Sequence, residues 1–261
     1  MQEAGTTPSR RVTRAGAGVA RDNRSMISQS VGDAKQDLAC ALRAAAHFGL
    51  HEGVCNHFSL AVPGRPGEFL INPQGLHWSE VRPDDLVTID AAGRRIAGKH
   101  DVEPTAFFIH GWIHRVVAEA ACVMHTHMPF ATALTMLQGG RLEMAHQNAL
   151  RFFDQVAYDE QYNGLVLDDR EGERIARKLA GASVLFLANH GVIVRGRNVA
   201  YAFDDLYYLE RACMHQVLAM GTGRALKLIP QSVAARTAAQ MAGERQQSTL
   251  HLQALRRMFG N

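Results

Sequence analysis

The chain has 261 residues, of which 47% are apolar and 20% are charged, and its formal net charge is +3. This is the composition of a globular protein, with enough apolar material for one large domain or two small ones. Much of the positive excess lies in the first 24 residues, and the remainder is nearly balanced. The charge therefore gives no indication of a nucleic-acid surface, and no apolar run is long enough to cross a membrane.

The cysteines and the N-terminal segment bear on compartment and domain limits. The four cysteines are scattered with no C-x-x-C pair, and a chain of this size needs no disulfides, so we expect a reduced, cytoplasmic protein. Residues 1–30 are predicted to be a flexible tail, with a transit peptide as the alternative and Met26 as an alternative start. Residues 31–261 are predicted to form one domain.

The apolar pattern then changes repeatedly between helical and strand spacing. A helix is predicted over residues 31–48, with Asp33 as its cap and Gly49 at its end. Further helices are predicted at 103–119, 129–137, 170–179 and 198–220. Strands are predicted at 54–62, 68–75, 85–90, 120–127 and 183–196, the last as a strand pair or one bent strand, while 143–167 mixes short strands and loops. This intermixing, without repeat or linker, predicts an α/β fold with a sheet between helices.

Two histidines stand two residues apart in the predicted strand AACVMHTH. Side chains at this spacing point to the same face of a strand, so His125 and His127 present two imidazoles side by side. Such a pair can coordinate Zn²⁺ or a similar divalent metal through two nitrogens. The alternative is two polar residues at a strand end, bonded to backbone carbonyls.

A third histidine follows another apolar strand. His190 comes after SVLFLA and before Gly191, and the glycine permits a close approach of the backbone or an unusual dihedral angle. Together with the H-x-H pair it would complete a three-histidine site. Three protein ligands leave one coordination position open, as in catalytic rather than structural metal sites.

Four blocks of the sequence together resemble the class II aldolase/adducin family. They are VCNHFSL with INPQGLHWSEVRPDDLV, then EPTAFFIHGWIHR, then CVMHTHMPFATALTML, and finally FLANHGVIVRGRNVAYAFDDLYYLERA. The resemblance implies a three-layer α/β/α domain around a mainly antiparallel sheet, assembled as a homotetramer. It also implies that His125, His127 and His190 bind one divalent metal ion per subunit, with Zn²⁺ and Mn²⁺ as the first candidates. Adducins lack these ligands, so their presence favours an enzyme.

The chain departs from the sugar-phosphate aldolases of this family. Those enzymes carry a Ser-Ser-Glu sequence whose Glu is the acid/base, and counting back from His125 places its equivalents at Pro104, Thr105 and Ala106. The family's Thr-Gly and Gly-Asn pairs are replaced by Gln74-Gly75 and Asn56-His57. The phosphate pocket is thus largely absent, which argues against a sugar-phosphate substrate.

A carboxylate is nevertheless close by. Glu103 lies one helical turn before Ala106 and could act as a base, orient a water or become a fourth ligand; equally, it could only cap the helix. His110 and His114, spaced i, i+4, could form a second metal site, although packing is favoured. The expected substrate-binding residues, whose imidazoles and amides suit a planar carboxylate, are His57, Gln74, Gly75, Thr105 and His146.

These features predict a metal-dependent carbon–carbon lyase. Decarboxylation of a hydroxy-substituted aromatic or heteroaromatic acid, through a metal-stabilised enolate-like carbanion, is the leading interpretation because it needs only late protonation. It also matches relatives that lack the sugar-phosphate residues. The first alternative is aldol cleavage of a non-phosphorylated hydroxy-keto acid. The second is a non-catalytic, adducin-like binding module, against which the histidine triad argues.

Overall fold

The computed structural model describes residues 29–260, so the predicted tail before Gln29 and the alternative start at Met26 lie outside the described residues. The helices are α1 (Val31–His47), α2 (Pro104–Val116), α3 (Pro129–Thr135), α4 (Gln147–Leu150), α5 (Asp169–Leu179), α6 (Val199–Met220), α7 (Gln231–Gly243) and α8 (Gln246–Phe259). The strands are β1 (His57–Ala61), β2 (Glu68–Ile71), β3 (Val87–Asp90), β4 (Arg95–Ala97), β5 (Cys122–Thr126), β6 (Val156–Asp159), β7 (Val184–Leu187) and β8 (Gly191–Gly196).

The strands form one eight-stranded sheet in the order β4-β3-β2-β1-β5-β8-β7-β6. Every neighbouring pair is antiparallel except β6 and β7, which are parallel. The prediction of a mainly antiparallel sheet is therefore confirmed, and residues 183–196 form a strand pair rather than one bent strand. In the centre, His57 on β1 is the register partner of His125 on β5.

The alternation of side chains on β5 divides the core into two layers. Cys122 and Met124 belong to the apolar cluster beneath α1, α3, α6 and α8. Val123 belongs to the opposite cluster, beneath α2 and α5. Because His125 has the same parity as Val123, it lies on the α2 face of the sheet. The predicted three-layer α/β/α arrangement is confirmed.

Several predicted boundaries need correction. Ser30, not Asp33, caps α1, because its hydroxyl accepts the backbone N–H of Asp33 at 3.0 Å. The strand predicted at 54–62 begins only at His57, since Asn56 has a left-handed backbone (φ 77°) that interrupts an extended chain. Strand β4 and helices α4, α7 and α8 were not predicted, and α4 lies in the stretch 143–167 that was predicted to hold only short strands and loops.

Helix α8 is held against the domain through buried carboxylates. Asp37 on α1 accepts a hydrogen bond from Arg256 at 2.6 Å, and Asp204 on α6 accepts from Ser248 at 2.7 Å and His251 at 2.8 Å. Burial tends to raise the pKa of Asp204, but these bonds and the charge of Arg151 lower it to about 2. The long helix α6 therefore faces the interior.

No helix among residues 29–260 combines the length and the apolar character needed to cross a membrane.

Candidate metal centre

The three predicted ligands meet at one end of the central strands. His125 and His127 lie at the end of β5, and His190 lies in the turn between β7 and β8. Their ring centroids are 4.8 to 5.1 Å apart, and their ligand nitrogens lie within 4.8 Å of one another. Among the described residues no other group of three potential ligands is found, so His110 and His114 form no such group.

Gly191 makes this convergence possible. A Cβ at this position would lie 2.6 Å from the Thr126 carbonyl oxygen and 2.8 Å from Cδ2 of the His127 ring. Contacts this short do not occur for real side chains, so any other residue would push the two strand ends apart. Asn189, two residues before Gly191, has a left-handed backbone (φ 54°) that turns the chain toward β8. The glycine after His190 is therefore needed for close approach.

Hydrogen bonds fix the orientation of two of the imidazoles. The Nδ1–H of His125 donates to the Val192 carbonyl at 3.0 Å, because a carbonyl can only accept. The Nδ1–H of His127 donates to the Glu52 carboxylate at 2.6 Å. Each ring then carries its lone pair on Nε2, and Nε2 of His127 is buried without a partner. A carboxylate–histidine pair with a free Nε2 is the arrangement that supports a metal ligand.

The electrostatics also suit a cation. Burial, reinforced by the neighbouring imidazoles, lowers the pKa of His125 well below its usual range and that of His190 to about 4. Both rings are therefore neutral at physiological pH, which is the form that binds metal. The residues present fit a divalent metal held by three histidines, with a coordination position left open.

Sequence reasoning missed the residues that support His127. Asn56 accepts, through Oδ1, the backbone N–H of Glu52 at 3.1 Å and that of His127 at 3.3 Å. It thereby ties the loop before β1 to the end of β5. Asparagine adopts the left-handed conformation more readily than most residues, so Asn56 inside the predicted strand 54–62 was a signal of a turn that could have been recognised. Nothing in the sequence distinguishes Glu52 from other exposed glutamates, because its partner His127 lies 75 residues away in the chain.

A cavity of about 550 Å³ opens at the triad. Besides the triad, five of the predicted site residues line it, namely His57, Gln74, Gly75, Glu103 and Thr105. His146 does not. It caps α4, where Nδ1 accepts the N–H of Asn148 at 3.2 Å, and its ring packs against His215 with centroids 4.5 Å apart.

Glu103 is both a helix cap and a wall of the cavity. Its carboxylate accepts the backbone N–H of Ala106 at 3.0 Å, the Thr105 hydroxyl and the His57 Nε2–H at 3.1 Å. Burial opposes ionisation of Glu103, but the bonds from His57 and Thr105 prevail and lower its pKa to about 2. The carboxylate is consequently an anion in the cavity at neutral pH.

The rest of the cavity wall is mostly apolar. Side chains of Val54, Ile109, Tyr162, Leu165 and Val166 contribute to it. Of the described residues that line the cavity, none is a lysine or arginine. The pocket therefore offers apolar surface, imidazoles and one carboxylate, and its described lining residues include no lysine or arginine to hold a phosphate group.

The family model for the "Class II Aldolase and Adducin N-terminal domain" matches residues 36–217, which contain every wall of this cavity. The chain belongs to this family.

Relatives within the class II aldolase/adducin family have different activities. Decarboxylase NovR from Streptomyces niveus is 30% identical over 205 residues, which cover 78% of this chain and 75% of the relative. The 4-hydroxy-3-prenylphenylpyruvate oxygenase/4-hydroxy-3-prenylbenzoate synthase of Streptomyces roseochromogenus subsp. oscitans is 31% identical over 205 residues, covering 78% and 73%. The structure of L-fuculose 1-phosphate aldolase from Glaciozyma antarctica PI12 superimposes with a TM-score of 0.79 at 25% identity, covering 88% of this chain and 91% of that one.

In this class II aldolase/adducin domain, the position counted back from His125 does not reach the cavity. Ala106 is buried in the apolar cluster formed with Phe69, Ile71 and Val87, beneath α2. The cavity carboxylate comes from Glu103, one helical turn earlier. A carboxylate is therefore available at the site, although not at the position that the spacing indicated.

Proposed function

We propose that this protein is a metal-dependent lyase that decarboxylates a hydroxy-substituted aromatic or heteroaromatic acid. The observation that carries the proposal is a mostly apolar cavity, free of lysine and arginine among its described residues, that opens on three converging imidazoles. Apolar walls can pack against a planar ring, and the imidazoles provide the polar end that fixes its orientation. Zn²⁺ and Mn²⁺ remain the first candidates for the metal.

The protein's own groups have distinct parts in this reaction. When bound, a divalent cation supplies a Lewis acid that polarises an oxygen of the substrate. His125, His127 and His190 would hold it. The bond to the carboxyl carbon breaks, CO₂ leaves without the bonding electrons, and the remaining carbon needs one proton. The His57–Glu103 pair lies at the cavity wall, so a proton taken up by the pair from solvent is placed to reach that carbon, and its delivery leaves neutral His57 beside the Glu103 carboxylate.

The chemistry of the walls favours an unphosphorylated substrate. A phosphate dianion is normally held by lysine, arginine or a set of backbone amides and hydroxyls. A carboxylate attached to a hydroxylated ring can instead meet a cation with its two oxygens. Two relatives' names support this proposal in different ways: one names 4-hydroxy-3-prenylbenzoate, an unphosphorylated hydroxylated aromatic acid, as its product, and the other is named a decarboxylase.

Aldol cleavage of a non-phosphorylated hydroxy-keto acid is the second candidate. The Glu103 carboxylate favours it, because an aldolase needs an acid/base near the departing hydroxyl group. Similarity to an L-fuculose 1-phosphate aldolase points the same way. A binding module without chemistry, as in adducins, would leave the triad without a role.

One assay separates these candidates. Purified protein is loaded with Zn²⁺ or Mn²⁺ and incubated with hydroxybenzoates, hydroxypyridine carboxylates and hydroxy-keto acids, while CO₂ and pyruvate are measured. We expect CO₂ from the ring acids, with activity lost in His127→Ala and kept in His215→Ala, a histidine outside the cavity. Pyruvate without CO₂ would replace decarboxylation by aldol cleavage. Failure to bind any metal after reconstitution would leave the binding module.

Assembly and compartment are also proposals. We propose a homotetramer, on the resemblance to the family, and light scattering of the purified protein tests its mass. We propose a cytoplasmic location, in keeping with four cysteines that are all free. Fractionation of cells that produce the protein tests it.

A further inference from the structure

The side chain of Asn56 carries a hydrogen-bond donor that the protein itself does not use. Its Oδ1 accepts the backbone N–H of Glu52 at 3.1 Å and that of His127 at 3.3 Å. Because a backbone N–H can only donate, the amide oxygen must face these two groups, and the orientation of the amide is fixed. Its Nδ2 is buried and meets no hydrogen-bond partner among the residues that the structure describes.

This donor belongs to the wall of the cavity at the metal centre. Asn56 is 2% exposed and lines the cavity beside His127, to whose backbone it is bonded. Nε2 of His127 is likewise buried without a partner among the described residues, and a metal ion is the partner that its geometry fits. Two adjoining residues thus hold one atom for a cation and one donor for an acceptor beside it.

The local backbone accounts for only half of the Asn56 side chain. Its left-handed conformation (φ 77°) is one that asparagine and aspartate both tolerate. Aspartate could also accept the N–H groups of Glu52 and His127, so neither the turn nor these two bonds require an amide nitrogen. A buried donor without a partner destabilises the fold. An acceptor supplied by a ligand would remove that cost.

Other donors at the cavity wall are exposed to solvent or already bound. Gln74, Tyr162 and Asn189 line the cavity with exposed side chains. The lining donors that are bound within the protein are the ring N–H groups of His57, His125 and His127 and the hydroxyl of Thr105. Of the side chains named here, only Asn56 is buried with a hydrogen left to donate.

The charges around Asn56 indicate which acceptor it would meet. The described lining residues include the Glu103 carboxylate and no lysine or arginine, so an acidic ligand finds its counter-charge only in the cation. A neutral amide N–H can then bind a second oxygen of that ligand, and such a bond is stronger to a charged oxygen than to a neutral one. A carboxylate, with two oxygens and one charge, matches one cation and one donor.

We propose that Nδ2 of Asn56 donates a hydrogen bond to the carboxylate of the substrate and so selects acids at this site. This role rests on the proposed function, because it assigns a residue to the substrate class named there. The amide keeps its hydrogen throughout and supplies no proton to the reaction. Since the bond is made before the carbon–carbon bond breaks, its loss should raise KM more than it lowers kcat.

The first test observes the amide directly and needs no turnover. The probe is benzoate, which has the carboxylate but no hydroxyl group to carry the charge of a carbanion. In Zn²⁺-loaded protein labelled with ¹⁵N-asparagine, nuclear magnetic resonance should show one Asn56 amide proton moving downfield as benzoate is added. The amide of Asn198, which caps α6, should not move. An unmoved Asn56 amide, or no binding of benzoate at all, would overturn the proposal.

The second test replaces the donor and keeps the acceptor. Asn56→Asp can still hold the N–H groups of Glu52 and His127, so Zn²⁺ should bind no more weakly than in the wild type. The dissociation constant of benzoate should rise about 10- to 100-fold, the usual size of a hydrogen bond to a charged group. KM for a ring acid should rise by a similar factor.

Asn189→Asp is the matched control for the added charge. Asn189 also lines the cavity and is also left-handed (φ 54°), but its side chain is exposed. Water screens an exposed carboxylate, so benzoate binding should weaken by no more than about threefold. Equal weakening in the two variants would mean that charge alone is responsible, and would overturn the role of Nδ2. If Asn56→Asp does not fold, the resonance of the wild-type amide still decides.

The outcomes separate this role from the function. A wild-type dissociation constant for benzoate in Asn56→Asp would overturn the role of Nδ2 even if ring acids release CO₂. If no ring acid releases CO₂ while benzoate moves the Asn56 amide, the decarboxylase proposal fails and the carboxylate site stands.

Discussion

Substituting Gly191 by alanine tests whether the turn after His190 sets the geometry of the metal centre. The added Cβ would meet the Thr126 carbonyl oxygen at 2.6 Å and the His127 ring at 2.8 Å. Neither neighbour can yield easily, because one is strand backbone and the other is a ligand held by Glu52. The turn that carries His190 must therefore move away from the end of β5.

The required movement follows from the contact distances. Restoring 3.0 Å to the carbonyl oxygen needs 3.0 − 2.6 = 0.4 Å, and reaching an ordinary 3.4 Å contact needs 0.8 Å. Metal–ligand distances tolerate only about 0.2 Å. We expect metal affinity to fall by at least about 10- to 100-fold, the loss seen when ligand support is removed. Overpacking of this kind costs about 1–3 kcal/mol of folding stability.

The measurement is a competition titration of apo-protein with Zn²⁺ against a chromophoric chelator, with unfolding of the apo-protein followed in parallel. Gly243→Ala is the matched control, because a Cβ there meets nothing within 4 Å and its backbone is not left-handed. The control should keep wild-type affinity. Wild-type affinity and stoichiometry in Gly191→Ala would refute the argument that close approach at this glycine holds the triad together.

Three further substitutions address the surroundings of the triad and the docking of α8. Glu52→Gln should weaken metal binding about 10- to 100-fold in the same titration without changing apo-protein melting, since Glu52 is exposed and acts through His127. Glu103→Gln keeps a cap acceptor but removes the anion, so kcat should fall with metal content unchanged; wild-type kcat would reduce Glu103 to a cap. The pKa of Asp204, lowered from 3.8 to about 2, contributes about 2 kcal/mol that is present above pH 4 and lost as pH falls toward 2. Denaturant unfolding from pH 7 to 2 should show this loss in the wild type and not in Asp204→Asn, which should be less stable at pH 7.

The elements that the sequence predicted are those whose apolar side chains repeat with one period. The 17-residue helix α1 and strand β5 have clean patterns because one face, or both, lies in the core. Helix α7 lacks such a pattern, because it buries only Ala234. Helix α8 buries two leucines, Leu252 and Leu255, and its docking also depends on Arg256 and His251. The carboxylate partners of these two side chains lie on distant helices, so they leave no local signal in the sequence.

The same distinction holds for the site residues: those fixed by local geometry could be predicted, and those fixed by contacts between distant segments could not. His125 and His127 could be predicted because a strand's period of two fixes their common face, and His190 because a glycine followed it at a strand end. Local geometry decided each of these. The contact of Glu52 with His127 arises only where distant segments of the chain meet. The position of His146 outside the cavity has the same origin. Sequence spacing carries no information about either.

The position of Glu103 changes which feature distinguishes the candidate reactions. Spacing from His125 placed the family's acid/base position at Ala106, and its absence there favoured decarboxylation, with Glu103 left as a base, a fourth ligand or only a helix cap. In the structure Ala106 points into the apolar cluster and Glu103 lines the cavity, so a carboxylate serves either reaction. The discriminating feature is instead the charge of the walls. The described lining residues include no lysine or arginine, so a phosphate dianion would lose its hydration beside the Glu103 anion without a fixed counter-charge. A ring carboxylate can place its single charge on the cation and its apolar body against Ile109 and Val166.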